Sequence, residues 1–395
     1  MRILLQTSLI YAFVLPVIDI FVAAYIMRNS SDVGRVVAYQ LMVYSGIPMT
    51  FFINGFLLKV IKPGLLYAFG MLLSGVSMLV MISLPELNFS GIVVAGFIMG
   101  ISFGFFWANR DFLILVSTND DNRNYYYGIE TFFNTITLVG VPISIGWFIE
   151  KSETLLWAAS INEAYRYVVY TVIIITIIAS LLICRGDYTM VHNSRFVYLK
   201  NDKLWNKMLL VSVCKGMVQG FVVTAPAMLI MKYVGNEGAL GTMQSISAIL
   251  TAVLMYYIGK YSKPRDRMKI YLVSTVIFFV GSMIDSFFMN STAVIIFLLM
   301  MIVARPMYDL AYFPIQMLVI DSLKQKEGRS EYSYIFSHEC GLYVGRLVGC
   351  GLFILITYTI SDTVALIYVL PIVTFVQLTS FFIIKKILLL VRQYV

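Results

Sequence analysis

Twelve apolar stretches, each long enough to cross a bilayer as a helix, follow one another along this chain with short polar segments between them. They cover about 4–27, 36–58, 64–84, 90–117, 125–149, 166–184, 207–231, 239–259, 269–289, 292–320, 332–358 and 364–384. Lipid offers no hydrogen-bond partners, so backbone polar groups within a span have to be satisfied inside the protein, and runs of this length do so as helices. Composition closes the soluble alternatives. Of the 395 residues, 60% are hydrophobic and 13% charged, against about 25% charged in a soluble domain. The first stretch contains Pro16 and Asp19 and lacks a cleavage-type ending, so it reads as a span and not as a secretory leader.

The net charge of +8 belongs to topology. Of the 29 lysines and arginines, 20 fall in the N-terminal segment and the segments on its side, five fall on the opposite side, and four (Arg110, Lys215, Arg305, Arg346) lie within spans. Positive residues accumulate on the cytoplasmic side. Both termini are therefore expected in the cytoplasm, with the chain in a bacterial cell membrane and no nucleic-acid partner. The four cysteines show no metal-type or disulfide-type spacing, and two histidines are too few for a histidine-rich site. No cofactor or metal is expected.

The chain carries an internal repeat. YYYGIETFFNTITLVG (125–140) aligns with YIFSHECGLYVGRLVG (334–349) at an offset of 209, FLILVS (112–117) with MLVIDS (317–322) at 205, and Gly55 and Lys59 with Gly259 and Lys263 at 204. Successive matches near half the chain length point to a duplicated unit. The predicted organisation is a six-helix bundle over 1–184, a cytoplasmic linker over 185–206, and a second six-helix bundle over 207–395. Parallel six-plus-six repeats are a transporter architecture with the substrate site near the bilayer midplane.

On these features the chain resembles the major facilitator superfamily of secondary transporters. The family's loop signature between helices 2 and 3, G-x-x-x-D-x-x-G-[RK]-[RK], is matched in part by GFLLKVIKPG (Gly55 to Gly64), and its second copy by GKYSKPRDRMK (Gly259 to Lys269). Both copies carry lysine, Lys59 and Lys263, where the family has aspartate. GVPISIG (Gly140 to Gly146) partly matches the Gly-Pro motif of the family's exporters. The resemblance implies an all-α integral membrane fold of two pseudo-symmetric six-helix bundles that alternate access. It further implies that helix 2 lies beside helix 11 and helix 8 beside helix 5, so that Lys59 is expected to pair with Glu331 or Glu339, and Lys263 with Asp120, Asp121 or Glu130.

Charges inside spans mark the candidate site, because an Arg, Lys or Asp at the bilayer centre costs about 2.5–3.5 kcal/mol even on the lenient insertion scale. Substrate contacts are expected from Arg346, Arg305, Lys215 and Gln219, with Trp107 and its repeat partner Tyr312 lining the cavity. Lys215 and Gln219 share one helix face, as do Arg305 and Asp309. The sequence pairs Asp309 with Arg305, which leaves Arg346 as the freer cation. A carboxylate in the bilayer has its charged form penalised by desolvation, which suits it to loading and releasing a proton. Asp19, Glu339, Glu130 and Asp309 are the candidates for that role. Lys59, Lys263, Arg110 and Asp111 are expected to form gate contacts. Each residue also has a plainer reading: Arg305–Asp309 as an ion pair that eases insertion, Glu130 and Glu339 as neutralisers of inner lysines, and His338 as a satisfied interface residue.

The expected function is secondary active transport of a small anionic or amphiphilic solute, coupled to protons or alternatively to sodium, by a monomer in the lipid bilayer. The Gly-Pro segment leans toward export. The chain has no G-x-x-x-x-G-K-[ST] loop for ATP. A receptor built on a transporter scaffold would carry an added soluble domain, and an intramembrane enzyme a cluster of catalytic groups; neither pattern occurs in the sequence.

Overall fold

The structure is a computed structural model and describes residues 2–84, 87–117, 120–188, 197–198, 200–261, 266–329 and 331–394. Among these residues the regular elements are helices: α1 (Arg2–Tyr11), α2 (Val22–Ser30), α3 (Val33–Leu57), α4 (Pro63–Ser83), α5 (Phe89–Ser117), α6 (Asp120–Lys151), α7 (Ile161–Cys184), α8 (Lys203–Val222), α9 (Ala225–Tyr233), α10 (Glu237–Tyr261), α11 (Arg267–Phe288), α12 (Ser291–Glu327), α13 (Glu331–Thr359) and α14 (Asp362–Tyr394). Among the described residues eleven stretches are long and apolar enough to cross a membrane, α8 and α9 counting as one. The divided N-terminal stretch Arg2–Ser30 supplies the twelfth span of a fold that is all-α and integral to the membrane.

Most boundaries follow local chemistry. Asp32 caps α3 by accepting from the backbone N–H groups of Gly34 and Arg35, Asp202 caps α8 through Leu204, and Asn290 caps α12 through Ala293; each satisfies a donor that the first helical turn leaves orphaned. α12 ends in a left-handed Gly328, which closes onto Lys324. This helix extends past the 320 read from hydropathy because its last turn, rich in Gln, Lys and Glu, is polar yet helix-favouring.

Two spans read as continuous are broken. In the first, α1 ends at Tyr11, a turn follows, and beyond Pro16 the chain forms a π-helical turn, Val17–Phe21, before α2. Proline has no N–H to donate and crowds the preceding turn. In the seventh, Pro226 withholds the same donor just after Val223–Thr224, separating α8 from α9. The spans containing Pro48, Pro142, Pro306, Pro314 and Pro371 remain continuous helices.

The chain forms two compact units, Met1–Asn193 with Ala227–Ala248, and Ser194–Pro226 with Ile249–Val395. In the first, α5 lies against α3 along Gly96, Gly100 and Gly104. The approach is so close that a Cβ on Gly100 would stand 2.2 Å from the Val43 carbonyl oxygen. In the second, α13 lies against α8 along Gly341, Gly345 and Gly349, and a Cβ on Gly345 would stand 2.0 Å from the Val213 carbonyl oxygen. Lipid gives helices no hydrophobic reason to associate, so small residues that let backbones touch supply the contact. The second unit also has an aromatic core on α8, α11, α12 and α13, where Trp205, Tyr271, Tyr308, Tyr312 and Tyr334 are buried together.

Candidate functional site

The intramembrane charges of the second unit gather from three helices. Lys215 of α8 donates to Asp309 Oδ1 of α12 at 2.7 Å. The lysine side chain is 9% exposed and that of Asp309 36%. The ammonium also lies 4.2 Å from the centroid of the Tyr312 ring, 4.0 Å from that of Phe313 and 5.5 Å from that of Tyr308. A desolvated cation–π contact contributes about 2 kcal/mol, so ring faces and one carboxylate together replace the water this ammonium has lost. The Tyr312 hydroxyl and His338 Nε2 are 2.6 Å apart.

Beside this pair, Arg346 of α13 reaches back two turns and donates Nη1–H to Glu339 Oε1 at 2.6 Å and Nη2–H to Gln219 Oε1 at 3.0 Å. Arg346 is buried. Arg305, one turn before Asp309 on α12, is exposed and forms no ion pair among the described residues. The cluster thus holds three cations against two carboxylates, and Arg305 is the cation left open.

These positions depart from the sequence reading at several points. Asp309 turns to Lys215 and not to Arg305, because the long lysine arm arrives from the neighbouring helix along the ring faces of α12. Arg346 is consequently the engaged cation and Arg305 the open one, the reverse of the expectation. Tyr312 is fully buried. It is core that supports Lys215, and it lines no open surface. Lys215, Gln219, Asp309, Glu339 and Arg346 lie together in the second unit, with His338 joined to them through Tyr312.

In the first unit Arg110 of α5 clasps Glu130 of α6 with two bonds, Nη2 to Oε2 at 2.5 Å and Nε to Oε1 at 3.2 Å. Its guanidinium lies 5.4 Å from the centroid of the Trp107 ring, and Trp107 is 36% exposed. The residue before Arg110, buried Asn109, donates to Asn54 Oδ1 of α3 at 2.8 Å. Glu130 therefore serves Arg110, a pairing the sequence reading did not make. Asp19 sits on the π-helical turn with its side chain exposed. Lys59 is exposed, its ammonium 5.6 Å from the Phe56 ring centroid. Glu130 and Glu339, two of the carboxylates expected at the gate, each have an arginine partner within their own unit. Lys263 lies outside the described residues, as do the side chains of Asp111, Asp120, Asp121 and Glu331.

The sequence reading missed one buried ion pair entirely. Arg28, the last basic residue of α2, holds Glu237 at the start of α10. Glu237 heads an apolar run with no basic residue within one helical turn after it, which was the available signal.

An all-helical chain of about twelve spans, with charged side chains held in pairs between helices, is a polytopic membrane protein. The chain belongs to the Major Facilitator Superfamily, whose family pattern matches residues 4–349. It is 20% identical over 372 residues to the uncharacterized protein YqgE of Bacillus subtilis (strain 168), covering 92% of this chain and 84% of that one. It is 26% identical over 145 residues to an uncharacterized protein in the sodM 3' region of Geobacillus stearothermophilus, covering 36% of this chain and 66% of that one. Solved transporters share the fold. A structure from work on substrate recognition in proton dependent oligopeptide transporters superposes with a TM-score of 0.69 at 12% identity, covering 100% of this chain and 98% of that one. The nucleoside transporter NupG gives 0.67 at 12% identity, covering 98% and 99%. A bacterial metal transporter gives 0.63 at 14% identity, covering 98% and 97%. Family and fold together make this protein a membrane transporter.

Proposed function

We propose that the protein is a secondary active transporter that carries a small solute with an anionic group by alternating access between two six-helix halves, residues 1–184 and 207–395. The observation that carries this reading is the charge imbalance of the Lys215–Asp309 and Arg346–Glu339 cluster beside the exposed Arg305. A guanidinium matches a carboxylate or phosphate with two parallel hydrogen bonds, and an excess of one cation favours an anion. Lys215, Gln219 and Arg346 are the further candidate substrate contacts, with Trp107 the aromatic candidate of the first unit.

Coupling is assigned to protons, with Asp19 and Glu339 as the exchangeable carboxylates and sodium as the competing ion. Export is the direction toward which the Gly140–Gly146 segment leans, and the distribution of lysine and arginine supports cytoplasmic termini in a bacterial cell membrane. The test is a ligand-dependent thermal-shift screen of the purified protein with small carboxylates, organic phosphates and quaternary ammonium compounds, since a binder stabilises the state it binds. Stabilisation by anionic compounds that Arg305→Ala abolishes supports the reading. Stabilisation by cationic compounds alone, unaffected by Arg305→Ala, overturns it.

A further inference from the structure

The segment Ala227–Ala248 belongs by sequence to the second half of the repeat, yet it packs into the compact unit built from the first half. It begins at the break between α8 and α9, where Pro226 interrupts the seventh span, and ends partway along α10. A helical hairpin from one half is therefore fastened to helices of the other.

The fastening has three parts. Backbone meets backbone where Gly146 of α6 faces Gly241 of α10: a Cβ on Gly241 would stand 2.1 Å from the Pro142 carbonyl oxygen, and one on Gly146 would stand 2.5 Å from that of Glu237. Polar bonds flank this seam, with Trp147 Nε1–H donating to Thr242 Oγ1 at 3.1 Å and Ser245 Oγ–H donating to the Val139 carbonyl at 2.6 Å. At the head of the hairpin Glu237 has no exposed surface. Its carboxylate accepts from Arg28 Nε and, at 2.6 Å, from Arg28 Nη2, and the Tyr165 hydroxyl of α7 donates to Oε1 at 3.2 Å. Arg28, Tyr165 and Glu237 all lie toward the side that the charge count places outside.

The chemistry of this head differs from that of a permanent joint. A packed apolar cluster would hold the hairpin down at least as firmly as a buried ion pair, because two ions give up their hydration to meet. When the hairpin lifts, the same ions recover that hydration. Closed and open arrangements are thereby brought closer in free energy, which suits a contact that is made and broken repeatedly. The bidentate guanidinium–carboxylate geometry supplies registry on each closure.

We propose that Arg28, Glu237 and Tyr165 form a latch that holds the 227–248 hairpin on the first-half helices in this state and releases it when the outer side opens. The inference rests on the alternating-access reading. Its test reads conformation alone and needs no substrate. In a chain whose native Cys184, Cys214, Cys340 and Cys350 are replaced by serine, Ser245→Cys serves as reporter, because Ser245 is buried two turns beyond Glu237 on the hairpin seam. A membrane-impermeant maleimide applied from the outer side modifies it only when the seam opens.

Glu237→Gln and Arg28→Gln are expected to raise the modification rate about tenfold by shifting the population toward the open seam. Arg28→Lys, which keeps the charge and loses the second bond, should fall between. The exchange Arg28→Glu with Glu237→Arg should return the rate to within about twofold of the parent, as a restored pair requires. Monodisperse elution and an unchanged far-UV spectrum establish that each variant is folded, and Tyr165→Phe, which removes one hydroxyl, serves where a charge variant is not. Parent-rate modification in every folded variant, or an exchange variant as fast as the single ones, overturns the latch. A latch that behaves as expected in a protein that moves no solute leaves the latch standing and removes the transport reading. Solute movement with an unresponsive seam removes the latch alone.

Discussion

Lys215 and Asp309 meet at 2.7 Å between α8 and α12, with the faces of Tyr312 and Phe313 on the other sides of the ammonium. The pair governs what the rest of α12 presents. By engaging Asp309 from a neighbouring helix, Lys215 takes away the carboxylate that Arg305 would otherwise meet one turn along its own helix. An interhelical bond in the second unit thereby frees a cation.

Removing one member of this pair leaves the other charge without its partner, and for fully buried pairs the penalty is about 3–5 kcal/mol. Asp309 keeps more solvent contact than Lys215, so the lower end applies. Lys215→Met and Asp309→Asn should each lower thermal stability in detergent, with Asp309→Asn the larger loss because it strands the buried lysine. The double variant Lys215→Met with Asp309→Leu should recover most of that stability. Differential scanning fluorimetry of the four proteins checks the order, and an additive double variant would show that the two residues do not act as a pair.

Arg305 and Arg346 should separate cleanly. Arg305→Ala removes an exposed side chain that holds no ion pair among the described residues, so stability should change by less than about 0.5 kcal/mol while binding of anionic solutes is lost. Arg346→Ala strands Glu339 and Gln219 and should lower stability by about 2 kcal/mol or more. Melting curves of both variants, with and without an anionic ligand that stabilises the parent, make the comparison. Equal stability losses would contradict it.

The contrast between these arginines shows which features were legible in the sequence. Span number and the sidedness expected from charge come from hydropathy and local charge, which are properties of the chain read in order. Partner choice depends on how each helix is rotated about its axis and on what its neighbour extends across the gap. Asp309 lies one turn from Arg305 in sequence, but its partner is 94 residues away. Tyr312 matched Trp107 in the repeat, yet one is core and the other surface, because a count of aromatic residues carries no direction. Other features were written plainly and left unread. Pro16 and Pro226 mark the two broken spans, and the four-residue spacings Gly96-Gly100-Gly104 and Gly341-Gly345-Gly349 mark two tight helix seams.

Those seams give a packing prediction. Gly100→Ala and Gly345→Ala would each place a methyl group against a carbonyl oxygen of the facing backbone, at 2.2 Å and 2.0 Å respectively. A backbone cannot rotate aside as a side chain can, so the helices have to separate and lose contacts along the seam. The expected cost is about 1–3 kcal/mol each. Gly351→Ala on α13, where a methyl group meets nothing within 4 Å, is the matched control and should be neutral or slightly stabilising through helix propensity. Yield of monodisperse protein and melting temperature report the difference, and equal behaviour of Gly345→Ala and Gly351→Ala would refute the close approach.

The coupling assignment leads to a prediction about Glu339 and Asp19. Glu339 receives a hydrogen bond from Arg346 Nη1. An anion that draws the Arg346 guanidinium toward itself withdraws that bond from the carboxylate. On the proposed coupling, arrival of substrate at Arg346 and proton exchange at Glu339 are linked through this bond. Asp19 occupies a different setting, an exposed position on the π-helical turn of the first unit. Such turns occur often at functional sites. Glu339→Gln and Asp19→Asn fix the neutral form, so both variants should bind and exchange solute across the membrane while losing accumulation against its gradient. Proteoliposomes with an imposed pH gradient, and separately with an imposed sodium gradient at constant pH, measure accumulation, and solute counterflow without any gradient measures exchange. Parent protein that accumulates solute with the sodium gradient and ignores the pH gradient would refute proton coupling. Variants that still concentrate solute at the parent level under a pH gradient would remove these two carboxylates from it.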